Sequence, residues 1–184
     1  RIATYFLGIY GLVAIILSLY IGEIVRFNLG SYSFIGEAFW SSTEIVPVIY
    51  LAYFFFGLYV LQLPAVYIPE KTKWVPAFRA VGAFVNVGLN LLVIPYYGVL
   101  GAAWATMFAQ AIMAGFIFFK TRRLYKIPFR VISIIIPFIF ILGTMVIVEE
   151  FTVIKIGYIL GYICIWYFMV ANKDERKSII QLFS

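Results

Sequence analysis

The positions of the charged residues constrain this chain more than any other feature of its sequence. Charged residues make up only 12% of its 184 residues, and 65% of the residues are hydrophobic. Five charge-free runs lie between them, at residues 2–22, 45–69, 80–119, 131–148 and 156–172. About 20 apolar residues in a helix cross the hydrocarbon core of a bilayer. The runs therefore predict an integral membrane protein and exclude an ordinary soluble domain, in which about 25% of the residues are charged.

The run from residue 80 to residue 119 contains 40 residues. As one helix it would be about 60 Å long, which is enough for two crossings. Pro95 and Gly98 mark a break near its middle. We therefore predict an all-α, polytopic transmembrane helix bundle with six spans, at about residues 2–22, 44–66, 77–95, 99–119, 130–148 and 154–171. Transmembrane β-strands are not predicted, because the runs do not alternate apolar and polar residues.

The basic residues predict the orientation of these spans. Twelve of the 14 Lys and Arg residues fall on one side of the predicted bundle, at Arg1, in the 71–79 and 120–130 loops and in the tail from Lys173. Cytoplasmic loops accumulate Lys and Arg, so this side and both ends of the chain are predicted to be cytoplasmic. The basic 120–130 loop then marks topology and attracts anionic lipid of the bilayer, and we expect no nucleic-acid partner.

Uncharged polar residues within the spans are the candidates for a substrate path, because no predicted span has a charge near its middle. They are Gln62, Asn86, Asn90 and Gln110. Asn86 and Asn90 lie four apart and hence on one helix face. That face either lines a hydrophilic translocation cavity or joins helices through hydrogen bonds. Arg79, near the cytoplasmic end of its helix, is the cationic candidate, although snorkelling explains its position equally well.

Small residues spaced by four predict helix packing. Gly101, Ala105 and Ala109 form one such stripe, and Gly157 and Gly161 form another in the last span. Small residues let helix backbones approach closely in lipid. We interpret both stripes as packing features and not as substrate sites.

Enzyme chemistry has little support in this sequence. There is no histidine, the single Cys164 lies in an apolar run, and the carboxylates flank the spans. The usual nucleophile–base pairs, metal-ligand clusters and phosphate-binding loops are therefore missing. We expect a protein that is not an enzyme, with no catalytic residue, metal or cofactor.

The segment from Lys71 to Thr106 reads KTKWVPAFRAVGAFVNVGLNLLVIPYYGVLGAAWAT. It resembles the O-antigen flippase type of the polysaccharide biosynthesis and export proteins, a branch of the MATE-like multidrug/oligosaccharidyl-lipid/polysaccharide flippase superfamily. In that branch a basic loop precedes a helix reading approximately vNi-x-LN-x-x-lIP, and y-G-x-x-GaA-x-AT follows. The matching positions are Asn86, Leu89-Asn90, Ile94-Pro95, Gly98, Gly101-Ala102-Ala103 and Ala105-Thr106.

The resemblance implies that this chain, which begins with Arg1 and not with Met, is the C-terminal part of a two-bundle transporter. Residues 1–120 would supply the last four helices of the second bundle, and residues 121–184 two additional helices and a cytoplasmic tail. Its partners would be the missing N-terminal helices of the same protein and polysaccharide assembly proteins. Because half of the cavity would be missing, we expect the chain alone to transport nothing.

The function implied is the flipping of undecaprenyl-pyrophosphate-linked oligosaccharide across the bacterial cytoplasmic (inner) membrane. Relatives do this by alternating access, in which one bundle rocks against the other. A cation-coupled multidrug antiporter or a peptidoglycan-precursor flippase of the same superfamily is an alternative. A membrane-embedded polysaccharide polymerase or assembly subunit is an alternative from a different functional class.

The predicted orientation can be checked by cysteine labelling in a Cys164→Ser background. We expect Ser31→Cys, in the outer loop, to react with a membrane-impermeant maleimide in intact cells. Thr72→Cys, in a basic loop, should react only after the membrane is opened. Labelling of both positions in intact cells, or of Thr72→Cys alone, would contradict the predicted orientation.

Overall fold

The computed structural model describes residues 2–29, 32–33, 35–122, 125, 130–147 and 151–170. In chain order the elements are α1 Ile2–Val25, β1 Asn28–Leu29, β2 Tyr32–Ser33, a 3₁₀-helix Glu37–Ile45, α2 Val46–Gln62, α3 Pro64–Tyr67, α4 Trp74–Thr121, α5 Val131–Ile147, α6 Thr152–Ile165 and a π-helical segment Trp166–Val170. The strands are two residues long and pair antiparallel. The predicted all-α class is therefore confirmed for the described residues.

Four helical stretches of the described residues are long and apolar enough to cross a membrane. They are Ile2–Val25, Ser42–Tyr67, Trp74–Thr121 and Thr152–Val170, whereas α5 has 17 residues and is shorter. The prediction of six spans is thus not confirmed, because the helices predicted at 77–95 and 99–119 belong to the 48-residue α4. The predicted tail and the last residue of the last predicted span lie outside the described residues.

Helix α4 folds back on itself where the sequence predicts a break. Gly98 has φ 54° and ψ −133°, which no α-helical residue adopts. On either side of it, the rings of Phe78 and Phe116 meet with centroids 5.3 Å apart. Trp74 and Lys120, at the two ends of α4, are also in contact. Helix α4 is therefore an antiparallel hairpin, with a first half at residues 74–97 and a second half at 99–121.

Two glycines make this hairpin possible. A positive φ together with ψ near −133° is strongly disfavoured for any residue with a Cβ, so Gly98 supplies the reversal. A Cβ at Gly101 would lie 2.8 Å from Cγ1 of Val93, which is too close for two carbon atoms. The halves can therefore begin to pack one turn after the reversal.

Helix α2 completes the compact unit formed by residues 21–128. The Gln62 side chain at its end reaches Ala114 in the second half of α4, and the ring of Tyr59 meets Arg79 in the first half. Helix α2 thus runs antiparallel to the first half and parallel to the second. The buried side chains of α2 that form this core include Val48, Leu51, Phe54 and Tyr59.

A tight turn leads from α3 into α4. The amide of Lys71 donates to the carbonyl of Val66 at 2.9 Å, and the amide of Glu70 donates to that of Tyr67 at 3.1 Å. Glu70 has φ 55°. This is the Schellman arrangement, which caps the carbonyl end of a helix and usually has glycine at the left-handed position. It reverses the chain and places the basic 71–73 segment beside the start of α4.

The described residues within 1–20 and 129–184 form a second compact unit. Three aromatic residues of its C-terminal helical segment, spaced by four, each fill the space left by a glycine, since a Cβ there would overlap their rings or hydroxyls. Tyr158 meets Gly143 of α5, Tyr162 meets Gly11 of α1 and Trp166 meets Gly8 of α1. The Tyr162 hydroxyl also donates to the Gly8 carbonyl at 2.9 Å.

These contacts set the directions of the three helices within this unit. Along the C-terminal segment, contacts progress from Lys155 over Tyr20 to Trp166 beside Gly8, so α6 runs antiparallel to α1. Gly11 of α1 approaches Pro137 of α5, and the Arg130 guanidinium donates to the Val170 carbonyl. Helix α5 is thus antiparallel to α6 and parallel to α1.

The compact units have boundaries at residues 20 and 128. The first 20 residues pack with the helices that the sequence assigns to an additional C-terminal pair. The assignment of helices to a second bundle and an extra pair stays a prediction.

Substitution of Gly98 tests the hairpin. We expect Gly98→Ala to destabilise the chain by about 1–3 kcal/mol, because alanine is strained at this backbone conformation. The control is Gly88→Ala in the first half of α4, where a Cβ meets nothing within 4 Å and helix propensity favours alanine by up to about 1 kcal/mol. Thermal unfolding in detergent micelles measures both variants. A midpoint for Gly98→Ala at or above that of Gly88→Ala would contradict the turn.

Candidate functional site

The two predicted asparagines belong to a hydrogen-bonded chain that crosses the α4 hairpin. The Asn90 side-chain amide donates to Oδ1 of Asn86 at 2.9 Å. The Asn86 amide donates to Oγ1 of Thr106 at 3.2 Å, and the Thr106 hydroxyl donates to the carbonyl of Ala102 at 2.9 Å. The spacing of four puts Asn86 and Asn90 on one face, and the hairpin brings Thr106 to that face. We call Asn86, Asn90 and Thr106 the amide chain.

One acceptor of the amide chain is left without a donor. Oδ1 of Asn90 is buried, and no described residue donates a hydrogen bond to it. The Asn86 amide group, by contrast, uses both its oxygen and its nitrogen within the chain. Asn86 thus joins the two halves of α4, whereas Asn90 also offers a carbonyl-type oxygen to a hydrogen-bond donor.

Gln62 joins α2 to the second half of α4. Its Nε2 donates to the Leu58 carbonyl at 2.9 Å and to the Ala114 carbonyl at 3.3 Å. The side chain is 5% exposed, and its Oε1 is buried without a donor among the described residues. Gln110, one turn before Ala114, has a buried Oε1 in the same condition. Both glutamines therefore present unused acceptors inside the bundle.

Tyr59 is a polar residue of this region that the sequence analysis does not select. It is fully buried, and its hydroxyl has no hydrogen-bond partner in the described part of the chain. It lies three residues before Gln62, on the adjoining part of the same helix face. The guanidinium carbon of the exposed Arg79 lies 5.9 Å from its ring centroid, within the range of a cation–π contact.

The structure thus brings the predicted polar residues into one compact unit but into two groups. Asn86 and Asn90 form the amide chain with Thr106, and Gln62 and Arg79 lie near Tyr59 at the end of α2. Gln110 lies between Thr106 and Ala114 along the second half of α4. Thr106 and Ala114 are eight residues apart, which corresponds to about 12 Å along the helix. The hydrogen bonds described above stay within each group.

The predicted packing residues have different environments. Gly101, Ala105 and Ala109 are buried within their unit. A Cβ at Gly157 or at Gly161 would meet nothing within 4 Å, and Gly157 is exposed. No described neighbour packs against these two glycines, so their packing role stays a prediction. In the second compact unit, the glycines that do meet neighbours are Gly8, Gly11 and Gly143. The sequence signal that identifies them is a series of aromatic residues spaced by four that faces these glycines.

Apart from the guanidinium of Arg79, the chemistry of these groups is hydrogen bonding without formal charge. Residues 80–119 contain no charged side chain. In the part of the chain that the structure describes, no three His, Cys, Asp or Glu side chains lie together as metal ligands would. What the arrangement can do is accept hydrogen bonds from hydroxyl or amino groups at Asn90, Gln62 and Gln110.

The contribution of the amide chain can be measured with Thr106→Val. Loss of the hydroxyl leaves the Asn86 amide without its acceptor, and we expect a destabilisation of about 1–2 kcal/mol. The matched control is Thr121→Val, because the Thr121 hydroxyl donates only to Ile117 of its own helix. Unfolding in detergent micelles should separate the variants. Equal midpoints would contradict a bond between the two halves.

Comparison with known proteins identifies no relative of this chain. A scan against family models, a search of curated proteins and a search of solved structures find no match for this chain. The functional conclusion therefore rests on the residues described above and on the resemblance of the 71–106 segment.

Proposed function

We propose that this chain is the C-terminal portion of a transporter that flips lipid-linked oligosaccharide across the bacterial cytoplasmic membrane for surface polysaccharide synthesis. Its substrate is an oligosaccharide on undecaprenyl pyrophosphate, and it works by alternating access together with further helices of the same protein. The apolar helices are compatible with a membrane protein, which is the part of the proposal that the structure supports directly.

The observation that carries the proposal is the α4 hairpin. The segment that resembles the flippase branch contains the residues that build it. Gly98 makes the reversal, Gly101 admits Val93, and Asn86 bonds Thr106 across the two halves. Asn86, Gly98, Gly101 and Thr106 of the motif therefore all contribute to building one hairpin. This supports the resemblance.

We propose further that the helices cross the membrane six times, with each half of α4 counted as one crossing. The directions within each unit support this. Helix α2 is antiparallel to the first half of α4 and parallel to the second, and α1 is parallel to α5 and antiparallel to α6. Consecutive crossings must alternate in direction, and the directions within each unit are compatible with that. Small mismatches such as the short α5 are accommodated by local thinning of the bilayer.

The unused amide oxygens suit an oligosaccharide. Sugar hydroxyls donate hydrogen bonds, and the unused groups of Asn90, Gln62 and Gln110 are acceptors. Within the proposal, Asn86 and Thr106 hold the hairpin together and Asn90 contacts the passing sugar. Arg79 is the candidate for the pyrophosphate, because its guanidinium is exposed at the cytoplasmic end of α4.

Deletion of the gene that encodes this chain tests the function in the host cell. We expect surface polysaccharide to be lost and lipid-linked oligosaccharide to accumulate on the cytoplasmic face. Restoration by the full-length protein is the control. Normal surface polysaccharide in the deletion strain, with no accumulated intermediate, would overturn the proposal.

Single substitutions separate the two roles of the asparagines in the full-length protein. We expect Asn90→Ala to reduce polysaccharide export several-fold at an unchanged protein level. Asn86→Ala should lower the protein level itself, because it disconnects the two halves of α4. Gly88→Ala, in open space on the same helix, should leave both unchanged. Normal export by Asn90→Ala would remove this residue from the substrate path.

A further inference from the structure

The two ends of α4 bring separated basic segments of the sequence to one place. The Nζ atom of Lys120 lies 3.8 Å from the ring centroid of Trp74, so the end of the second half is fixed beside the start of the first. Lys71 and Lys73 immediately precede Trp74, and Arg122 follows Lys120 by two residues. We call Lys71, Lys73, Lys120 and Arg122 the cationic end of the hairpin.

The backbone holds this arrangement from both sides. The Schellman turn at Glu70 orients the 71–73 segment, because the Lys71 amide is bonded back to Val66. On the other side, the Arg122 amide donates to the carbonyl of Phe118 at 3.1 Å and so continues the helix. The cationic side chains therefore project from an ordered backbone.

The cationic end carries an excess of positive charge. Glu70 is the one carboxylate in segments 64–79 and 116–122 of the sequence, against the four residues of the cationic end and the nearby Arg79. Lys71, Lys73, Arg79 and Arg122 are exposed, and Lys120 is partly buried on Trp74. Like charges at one end of the hairpin repel one another, so an anion placed among them lowers the electrostatic energy.

Exposed apolar side chains adjoin this charge. Phe119, next to Lys120, is 66% exposed, and Tyr67 and Ile68 before the turn are 51% and 59% exposed. Arg79 lies five residues beyond Trp74, about 7.5 Å further along the helix.

A ligand that matches both the positive charge and the exposed apolar side chains has an anionic group at the level of the cationic end and hydrocarbon beside the helices. A free phosphate ion matches only the first feature.

We propose that the cationic end binds the headgroup of an anionic phospholipid, with the acyl chains against the exposed apolar residues beside it. Lysine and arginine donate charge-assisted hydrogen bonds to the phosphate, and the cluster lies at a membrane–water boundary, where basic residues attract anionic lipid. The site needs only a membrane-embedded hairpin, so it is independent of the flippase proposal and can fail or hold separately from it.

The test compares two triple variants that remove the same charge. The first variant removes three of the four charges of the cationic end, through Lys71→Gln, Lys73→Gln and Arg122→Gln. It keeps the contact of Lys120 with Trp74. Lys173→Gln, Arg176→Gln and Lys177→Gln remove three cations from the tail of the sequence and form the matched control. The unfolding midpoint of each variant without added anionic lipid shows whether it is folded.

The chain in phosphatidylcholine-containing micelles is titrated with phosphatidylglycerol, and binding is read from native mass spectrometry and from the unfolding midpoint. Each basic residue near an anionic surface contributes about a fivefold change in affinity, so the first triple variant should bind on the order of 100-fold more weakly. The tail variant should bind as the unaltered chain does. Equal loss in both triple variants would overturn the proposal, since binding would then follow net charge alone.

Two further ligands distinguish the source of the phosphate. Inorganic phosphate should not raise the unfolding midpoint, because it lacks the hydrocarbon, and a rise equal to that with phosphatidylglycerol would replace the lipid by a free anion. A polyprenyl pyrophosphate that binds at the same residues much more tightly than phosphatidylglycerol would likewise overturn the phospholipid assignment and make this a carrier-lipid site.

Discussion

The unit formed by residues 21–128 depends on one constraint, which is that 40 consecutive residues without charge are too long for a single crossing of the bilayer. Such a segment must either leave the hydrocarbon or turn back. Helix α4 turns back at Gly98, the residue that can adopt the required backbone conformation. The packing of the two halves, the amide chain between them and the meeting of Trp74 with Lys120 all follow from that reversal.

A second constraint is the treatment of polar groups among apolar helices. Where no water is present, a buried donor must find an acceptor within the protein. Several donors bond to main-chain carbonyls. The Gln62 amide donates to Leu58 and Ala114, the Tyr162 hydroxyl to Gly8, and the Tyr158 hydroxyl to Phe140. These bonds join helices as well as satisfying donors. Among the described residues, the acceptors on Asn90, Gln62 and Gln110 stay without a donor, and the buried Tyr59 hydroxyl is also unpartnered.

The positions of the helices could be predicted from the sequence because they depend on local properties. Length, lack of charge and the Pro95–Gly98 break indicate where helices begin, end and reverse. Which helices meet could not be predicted, because apolar faces in lipid differ little in composition and association depends on shape. Gly157 and Gly161 have the expected spacing but no described neighbour, whereas Gly8 and Gly11 receive aromatic rings.

The candidate site was predictable to a similar extent. An amide in an apolar run is conspicuous, so the sequence identifies Asn86, Asn90, Gln62 and Gln110. The participation of Thr106 requires the fold of the hairpin, since its partner lies 20 residues away. In the sequence, Tyr59 cannot be distinguished from an ordinary core aromatic residue. In the structure its hydroxyl is buried without a partner among the described residues.

The concentration of charge at one end of α4 would also couple the orientation of a membrane-embedded hairpin to the membrane potential. The cationic end, together with the nearby Arg79 and Glu70, has a net charge of four, while the reversal at the other end of the hairpin is uncharged. Moving one elementary charge through 100 mV involves about 2.3 kcal/mol. With the cationic end on the negative side, as the charge distribution predicts, inversion of the hairpin would cost about 9 kcal/mol at that potential. The potential of a living membrane thus adds to sequence and packing as a force that keeps the hairpin in one orientation.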